Sequence, residues 1–349
     1  MVYNYNCDIL NEFMNKKKKR ILVIRCGRLG DTAISTVILD PLRHIYKNVE
    51  IDWVTKTEVA DIFACENDVN PIRFKHTKIP LLMDINKIRI IMKSLFNPYD
   101  AIFNLEVSKK YDYLVMFTRA LKKFGRPYHH IPDDRTEHRA KHQLRIINKS
   151  SADYPEQNAI PNIKCKPLNV LSNFFDVNKE FIVISPSTSK VGKNNHRGYR
   201  NWSLENWKIL IGLLIEKTDF NIVLTGTNKD YNGFSDLHTQ NKRVNNLAGK
   251  LSLSEYATTM KFAKYVIGVD SASVHVASAV GSKKIIAIYG PTNIHSSRPY
   301  ETKFNQVQVI SKSLPCSPCY GTSVIENCKD NICMKKIMPS DVFNIIKVK

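Results

Sequence analysis

Short apolar runs alternate with segments of helical period along most of the 349-residue chain. Residues 21–25 (ILVIR) have the composition of a buried strand, and residues 32–46 place Ile34, Val37, Ile38 and Leu42 on one helical face. A strand at 50–54, a helix at 88–95, a strand at 99–105 and a helix at 111–121 continue the alternation. From about 149 to 179 the chain turns polar and carries Pro155, Pro161 and Pro167, the pattern of a linker with some local structure. A second alternation follows: strand 181–185, helix 204–217, strand 221–225 closed by Gly226, helix 254–261, strand 265–269, helix 273–280 and strand 284–289. Strands separated by helices predict parallel sheets. Two such series in tandem predict two Rossmann-like domains, with ligands at the carboxyl ends of the strands.

Candidate chemistry sits where those strands end. In ILVIRCGRLGDTAIST, Gly27 and Gly30 open a turn after the first strand and Asp31 closes it. The spacing is G-x-x-G-D, which differs from the G-x-G-x-x-G of a dinucleotide site. With the helix expected to begin near Thr32, Asp31 is an N-cap on the plain reading and a functional carboxylate on the other. In the second half, Asp270 and Ser271 follow a strand and open a helix bearing His275 and the small residues Ala277, Ser278 and Ala279. The free N–H groups and dipole of such a helix start suit a phosphate. Upstream, ISPSTS supplies the hydroxyls of Ser187, Thr188 and Ser189, and YRNWSLENW brings Arg200 close to a helix start.

Composition narrows the classes. Lys and Arg number 52 against 32 Asp and Glu, a net charge of +20 that favours an anionic partner: nucleic acid, an acidic membrane surface or a phosphorylated substrate. No stretch approaches the ~20 apolar residues of a membrane span, and the leader 1–20 is charged and lacks a signal-peptide core. A cytoplasmic protein is expected. Cys316, Cys319, Cys328 and Cys333 form C-x2-C-x8-C-x4-C, a donor set for one tetrahedral zinc or iron ion of structural role. Cys7, Cys26, Cys65 and Cys165 belong to no motif. Gly192-Lys193 resembles the end of a P-loop, but Ser187 and Asn194 stand where that motif needs glycine and a hydroxyl. The basic runs 16–20 and 139–145 are the main support for a nucleic-acid-binding protein, and no RNA or DNA recognition signature accompanies them.

Seven stretches in order carry a family resemblance: ILVIRCGRLGDTAIST, VEIDWVTK, YRNWSLENWKIL, IVLTGT, NLAGKLSLSEY, DSASVHVASAVGSKKIIAIYGPT, and CSPCYG through CMKKI. Together they resemble glycosyltransferase family 9, the heptosyltransferase-like enzymes, over residues 21 to about 338. The resemblance implies an α/β protein of GT-B fold, two Rossmann-like domains facing each other across a cleft. It implies an acceptor-binding domain at 1–165, a nucleotide-sugar-binding domain at 166–338, and a C-terminal helix at 339–349 packing back on the first domain. The implied activity is inverting transfer of a sugar, heptose from ADP-heptose foremost, to a lipopolysaccharide core or related surface glycan.

Residue by residue, the resemblance makes Asp31 the catalytic base and puts Gly27 and Gly30 on the acceptor side. It assigns donor binding to Ser187, Thr188, Arg200, Thr225, Gly226, Asp270, Ser271, Ala272 and His275. Inversion needs a base on the face opposite the leaving diphosphate, and the diphosphate needs cations and N–H donors. Arg200 stands where the family commonly has lysine, and Ser271-Ala272 where it usually has Thr-Gly, which leaves the donor open. No catalytic cofactor is implied. The implied acceptor is a phosphorylated glycolipid, reached by peripheral contact with the cytoplasmic face of the inner membrane. Lys109, Lys110, Arg119, Lys122, Lys123 and Arg126 lie in the acceptor half. A protein-modifying heptosyltransferase and another GT-B sugar-nucleotide enzyme are the alternatives within this class, and no nucleic-acid partner is expected.

Overall fold

The computed structural model describes residues 18–346 except 76–83, 130, 133, 135, 152–153, 189–195 and 238–240. Residues 1–17 of the expected leader 1–20, Cys7, Ser189 and the Gly192-Lys193 pair therefore lie outside the described residues. The chain divides into two units: Met1–Arg28, Ser35–Asp134 and Ala140–Asn162 form unit 1, and Leu29–Ile34, Arg135–Arg139 and Ile163–Lys349 form unit 2.

The buried run ILVI ends β1 (Lys19–Ile24), the central strand of unit 1. After it come α1 (Leu29–Ser35), a 3-10 turn at Thr36–Ile38 and α2 (Leu39–Ile45). The single helix expected at 32–46 is thus broken. Pro41 explains the break: its ring and missing N–H are tolerated only in a first turn, so the helix restarts at Leu39. The strands β2 (Val49–Lys56), β3 (Val69–Phe74), β4 (Tyr99–Asn104) and β5 (Ala120–Gly125) complete a parallel sheet of order β3-β2-β1-β4-β5. Helices α3 (Ile85–Phe96) and α4 (Asp112–Phe117) cover one face, where Leu22, Ile24, Val54, Ile102, Leu114 and Val115 form an apolar core.

Two readings of this half are corrected. The helix expected to run to 121 stops at Phe117, and β5 takes the next residues as the edge strand beside β4. The basic run 139–145 belongs to α5 (Arg139–Asn148), whose Ala140, Leu144, Ile146 and Ile147 are buried. It is an amphipathic helix with a core face, so its basic residues do not form a free charged strip. At the other basic run, Lys18, Lys19 and Arg20 are paired with Glu50, Asp100 and Asp52.

Unit 2 is built on β6 (Phe181–Ser185), whose five residues are all buried. In chain order α6 (Leu204–Lys217), β7 (Asn221–Leu224), β8 (Val244–Asn246), α7 (Leu253–Phe262), β9 (Tyr265–Val269) and α8 (Ala272–Ala279) follow. Then come β10 (Lys284–Ile288), α9 (Ile294–Ser297), β11 (Gln306–Ile310), α10 (Ile332–Lys335) and α11 (Pro339–Phe343). The sheet is parallel with order β11-β10-β9-β6-β7-β8. The strand order reverses between β6 and β9, so the carboxyl ends of these two strands flank the crevice where such sheets bind ligands. α7 is held by a capping box in which Ser252 and Glu255 satisfy each other's backbone N–H groups.

α11 packs on α6, and Val342 and Ile346 join the unit 2 core with Trp207, Leu210 and Leu214. Its apolar residues meet the apolar face of α6 within unit 2; residues 347–349 lie outside the described residues. Among the described residues, no helix is long and apolar enough to cross a membrane.

Candidate active site

Residues 29–34 follow β1 in the chain but pack within unit 2. α1 begins at Leu29, three residues earlier than expected, so Asp31 lies in its first turn and is not its N-cap. A carboxylate there still complements the helix dipole. Gly30 explains how α1 approaches α8. A methyl group on Gly30 would lie 3.1 Å from His275 Cδ2 and 3.2 Å from Ala272 Cα. Only glycine lets the two backbones come this close without displacement. Asp31, the next residue, is 28% exposed and pairs with Arg139 Nη1 at 3.3 Å. Gly27 stays in the half-buried turn between β1 and α1.

On α8, His275 is 8% exposed, and its Nδ1 has no hydrogen-bond partner among the described residues. Burial pulls its pKa down to about 4; Asp270 and Asp31 oppose the shift, and His138 and Arg139 reinforce it. The imidazole is therefore neutral at neutral pH, with one N–H to donate. Ser271, the N-cap, makes no side-chain cap hydrogen bond to the helix, and its hydroxyl meets Ser273 Oγ at 2.7 Å. The first-turn amides of α8 thus lack a side-chain cap and are ready donors to an anionic group.

Other expected residues line the ends of β6, β7 and β9. Ser187 donates to Asp230 Oδ1 at 2.8 Å, and the Thr188 hydroxyl and N–H both donate to Asn201 Oδ1. Thr225 is buried against Ser185 Oγ at 2.7 Å. Gly226 follows it, and a methyl group there would lie 3.0 Å from Asp230 Cβ and from Phe234. Asp230 also accepts from the Thr227 N–H and hydroxyl, so one carboxylate ties two loops together. Arg200 pairs with the buried Asp270 at 3.1 Å, and its guanidinium lies 5.0 Å from the Tyr320 ring centroid. Beside them burial raises the Tyr289 pKa, and Asp270 adds to the shift. Its hydroxyl donates to the Ser297 carbonyl at 2.6 Å.

The sequence reading missed Arg139, His138, Asn201, Asp230 and Tyr320. Each acts through a long-range contact, as when Arg139 reaches Asp31 across 108 residues. The YRNW motif itself was the available signal for Asn201, next to Arg200.

The four cysteines line one cavity of about 420 Å³ in unit 2. Cys319 and Cys333 are buried, Cys328 is half-buried and Cys316 is exposed. Burial pushes the Cys333 thiol up to about 11, and the neighbouring thiols add to the shift. Among the described residues, no three His, Cys, Asp or Glu side chains are gathered closely enough to hold a metal ion. The donor chemistry fits a soft cation, and the arrangement does not close around one.

The strand orders, with a helix start lacking a side-chain cap at the β6–β9 switch point, define a doubly wound parallel α/β class of protein. The profile of glycosyltransferase family 9 (heptosyltransferase) matches residues 89–329, and the chain belongs to that family. It is a glycosyltransferase. It is 23% identical over 306 residues to lipopolysaccharide heptosyltransferase 3 of Escherichia coli, covering 79% of this chain and 85% of that protein. Among solved structures, E. coli ADP-heptose lps heptosyltransferase II matches with a TM-score of 0.73 at 19% identity, over 93% of this chain and 96% of that one. TibC from enterotoxigenic E. coli, an iron-containing dodecameric glycosyltransferase, matches with a TM-score of 0.58 at 11% identity, over 95% of this chain and 75% of that one. These likenesses identify the fold as GT-B.

Two outcomes follow from the α1–α8 contact. Gly30→Ala must push α1 or His275 aside, and chemical denaturation should show a loss of about 1–3 kcal/mol with the sheets intact by circular dichroism. A variant as stable as wild type would contradict the close contact. The second outcome concerns acid. The folded-state pKa of His275 lies below its ordinary value of 6.5, so its share of stability is complete above pH 6.5 and is lost as pH falls toward 4. That share is roughly 3 kcal/mol by the size of the shift. His275→Asn should flatten the dependence of melting temperature on pH in this window, and an unchanged slope would count against a buried neutral imidazole.

Proposed function

We propose that the protein is an inverting transferase that moves heptose from ADP-heptose to the core of a lipopolysaccharide or a related surface glycan. The observation that carries the reading is the placement of the Asp31 carboxylate beside the uncapped start of α8, within one unit. The names of lipopolysaccharide heptosyltransferase 3 and ADP-heptose lps heptosyltransferase II support the donor and acceptor classes.

In this reading residues 166–338 bind the nucleotide sugar and residues 1–165 bind the acceptor. The acceptor hydroxyl attacks the anomeric carbon as its proton passes to Asp31. The bond from that carbon to the diphosphate oxygen breaks, and the electron pair leaves with the nucleotide. The negative charge that develops there falls to the first-turn amides of α8, the Ser271 hydroxyl and the neutral His275 N–H. These donors are fixed before reaction, which is where electrostatic catalysis gains most. Arg200 adds a cation, held by Asp270 and the Tyr320 ring, and its remaining N–H groups are the ones available to a phosphate. Ser187, Thr188, Thr225 and Gly226 shape the floor through Asp230 and Asn201.

The acceptor is a phosphorylated glycolipid, and the enzyme works as a peripheral protein on the cytoplasmic face of the inner membrane. Transfer to a protein is the second reading, motivated by the four cysteines around one cavity. Those cysteines would hold one zinc or iron ion as a structural clamp remote from the reaction once drawn together around it, their thiols releasing protons to solvent as the thiolates bind.

The test of the base is Asp31→Asn, which keeps size and an oxygen for Arg139 but cannot take the proton. Turnover with ADP-heptose should fall by roughly 10²–10⁴, while ADP affinity by calorimetry stays at the wild-type value. Near-normal turnover would remove Asp31 from the chemistry. Screening ADP-heptose against UDP-, GDP- and ADP-hexoses tests the donor, and faster transfer from any of the hexoses would overturn it. For the cysteines, elemental analysis of protein purified without added metal should give one zinc or iron per chain. Repeated preparations with neither metal would rule the clamp out.

A further inference from the structure

Unit 1 exposes large apolar side chains at one end of its sheet, where β4 and β5 begin. Phe96, at the end of α3, is 87% exposed, and Leu121, on the edge strand β5, is 76% exposed. Tyr113 and Phe117 stack on one another along α4 and are themselves exposed. In a covered α/β sheet the outer helix face is ordinarily charged; here Met92 and Phe96 stand on it.

The elements are fastened together. The Arg119 N–H donates to Ser94 Oγ, and its guanidinium donates to the Leu95 carbonyl, joining the end of α3 to the start of β5. Lys123 Nζ donates to the Met116 carbonyl, joining β5 to α4. The elements that carry these apolar residues are therefore tied to one another.

Charge identifies what covers it. Residues 84–128 carry nine Lys or Arg and four acidic residues, and each acid is already paired: Asp84 with Lys87, Asp100 with Lys19, Glu106 with Arg25 and Asp112 with Arg126. Lys93, Arg119 and Lys122 are exposed around the apolar side chains. A second copy of the chain would set like charges against each other, which disfavours self-association. Apolar anchors ringed by cations match the headgroup layer of an anionic bilayer, where each cation and each buried apolar group adds to binding.

We infer that this end of unit 1 docks on an anionic phospholipid surface, with Phe96, Phe117 and Leu121 entering the headgroup boundary and Lys93, Arg119 and Lys122 facing lipid phosphates. The inference refines the peripheral-membrane reading above and rests on it only for the place of the acceptor.

The test is co-sedimentation of the full chain with vesicles of phosphatidylcholine containing phosphatidylglycerol, and with vesicles of phosphatidylcholine alone. Wild type should bind the anionic vesicles and lose binding as salt rises. The pair Lys93→Glu with Lys122→Glu should weaken binding by at least about thirtyfold, and Phe96→Glu with Leu121→Glu should weaken it comparably. Both double variants should keep wild-type ADP affinity, which shows that unit 2 is intact. Equal binding of wild type to both vesicle types, or wild-type binding by either double variant, would overturn the inference. So would a concentration-dependent dimer in ultracentrifugation that the apolar variant abolishes, since that would make the patch a self-association face. Vesicle binding is read without sugar transfer, so a protein that docks but transfers no heptose contradicts the proposed function and leaves the docking surface standing.

Discussion

The approach of α1 to α8 at Gly30 is the constraint on which the site depends. The backbone of Ala272 and the ring of His275 occupy the space that any side chain at position 30 would need. Because that space is closed, α1 sits against the start of α8 and carries Asp31 with it. The carboxylate, the uncapped amides and the buried imidazole are thereby assembled by main-chain contact, without long flexible side chains. Short connections of this kind hold reacting groups at small entropic cost.

The electrostatics follow from the same packing. His275 is buried where desolvation, reinforced by His138 and Arg139, outweighs the opposing pull of Asp270 and Asp31, leaving a neutral donor. Arg200 and Asp270 are packed deeply enough that neither is well solvated, and Tyr320 and Tyr289 surround them. Removing one partner of such a pair leaves the other buried and uncompensated, which makes Asp270 a structural requirement for Arg200. In the proposed reading, an incoming diphosphate would meet an arginine already fixed in position.

Much of the scaffold was legible because its central strands are buried on both faces. β1, β6 and β9 are short, nearly continuous apolar runs, and their boundaries followed from composition. The edge and outer strands β3, β5, β8 and β11 were not legible. β5 is ALKKFG and β11 is QVQVI, half-exposed sequences that become strands only through pairing with β4 and β10. Helix α5 was hidden because RAKHQLRI was weighed for charge when its apolar spacing carried the information. The glycine turn and the strand-end hydroxyls were visible, but their partners Asp230, Asn201 and Arg139 were not, since no local pattern encodes a contact made across the fold. Pro41 was visible and decides where α1 gives way to α2.

The central claim is that the helix start held against Gly30 receives the diphosphate of the donor. A crystal structure of the protein with ADP tests it most directly. The account predicts phosphate oxygens within hydrogen-bond distance of the first-turn amides of α8, with Ser271 and His275 as side-chain donors and Asp31 nearby but not touching the phosphates. A diphosphate seated on the turn at Gly27, with the start of α8 left empty, would contradict it.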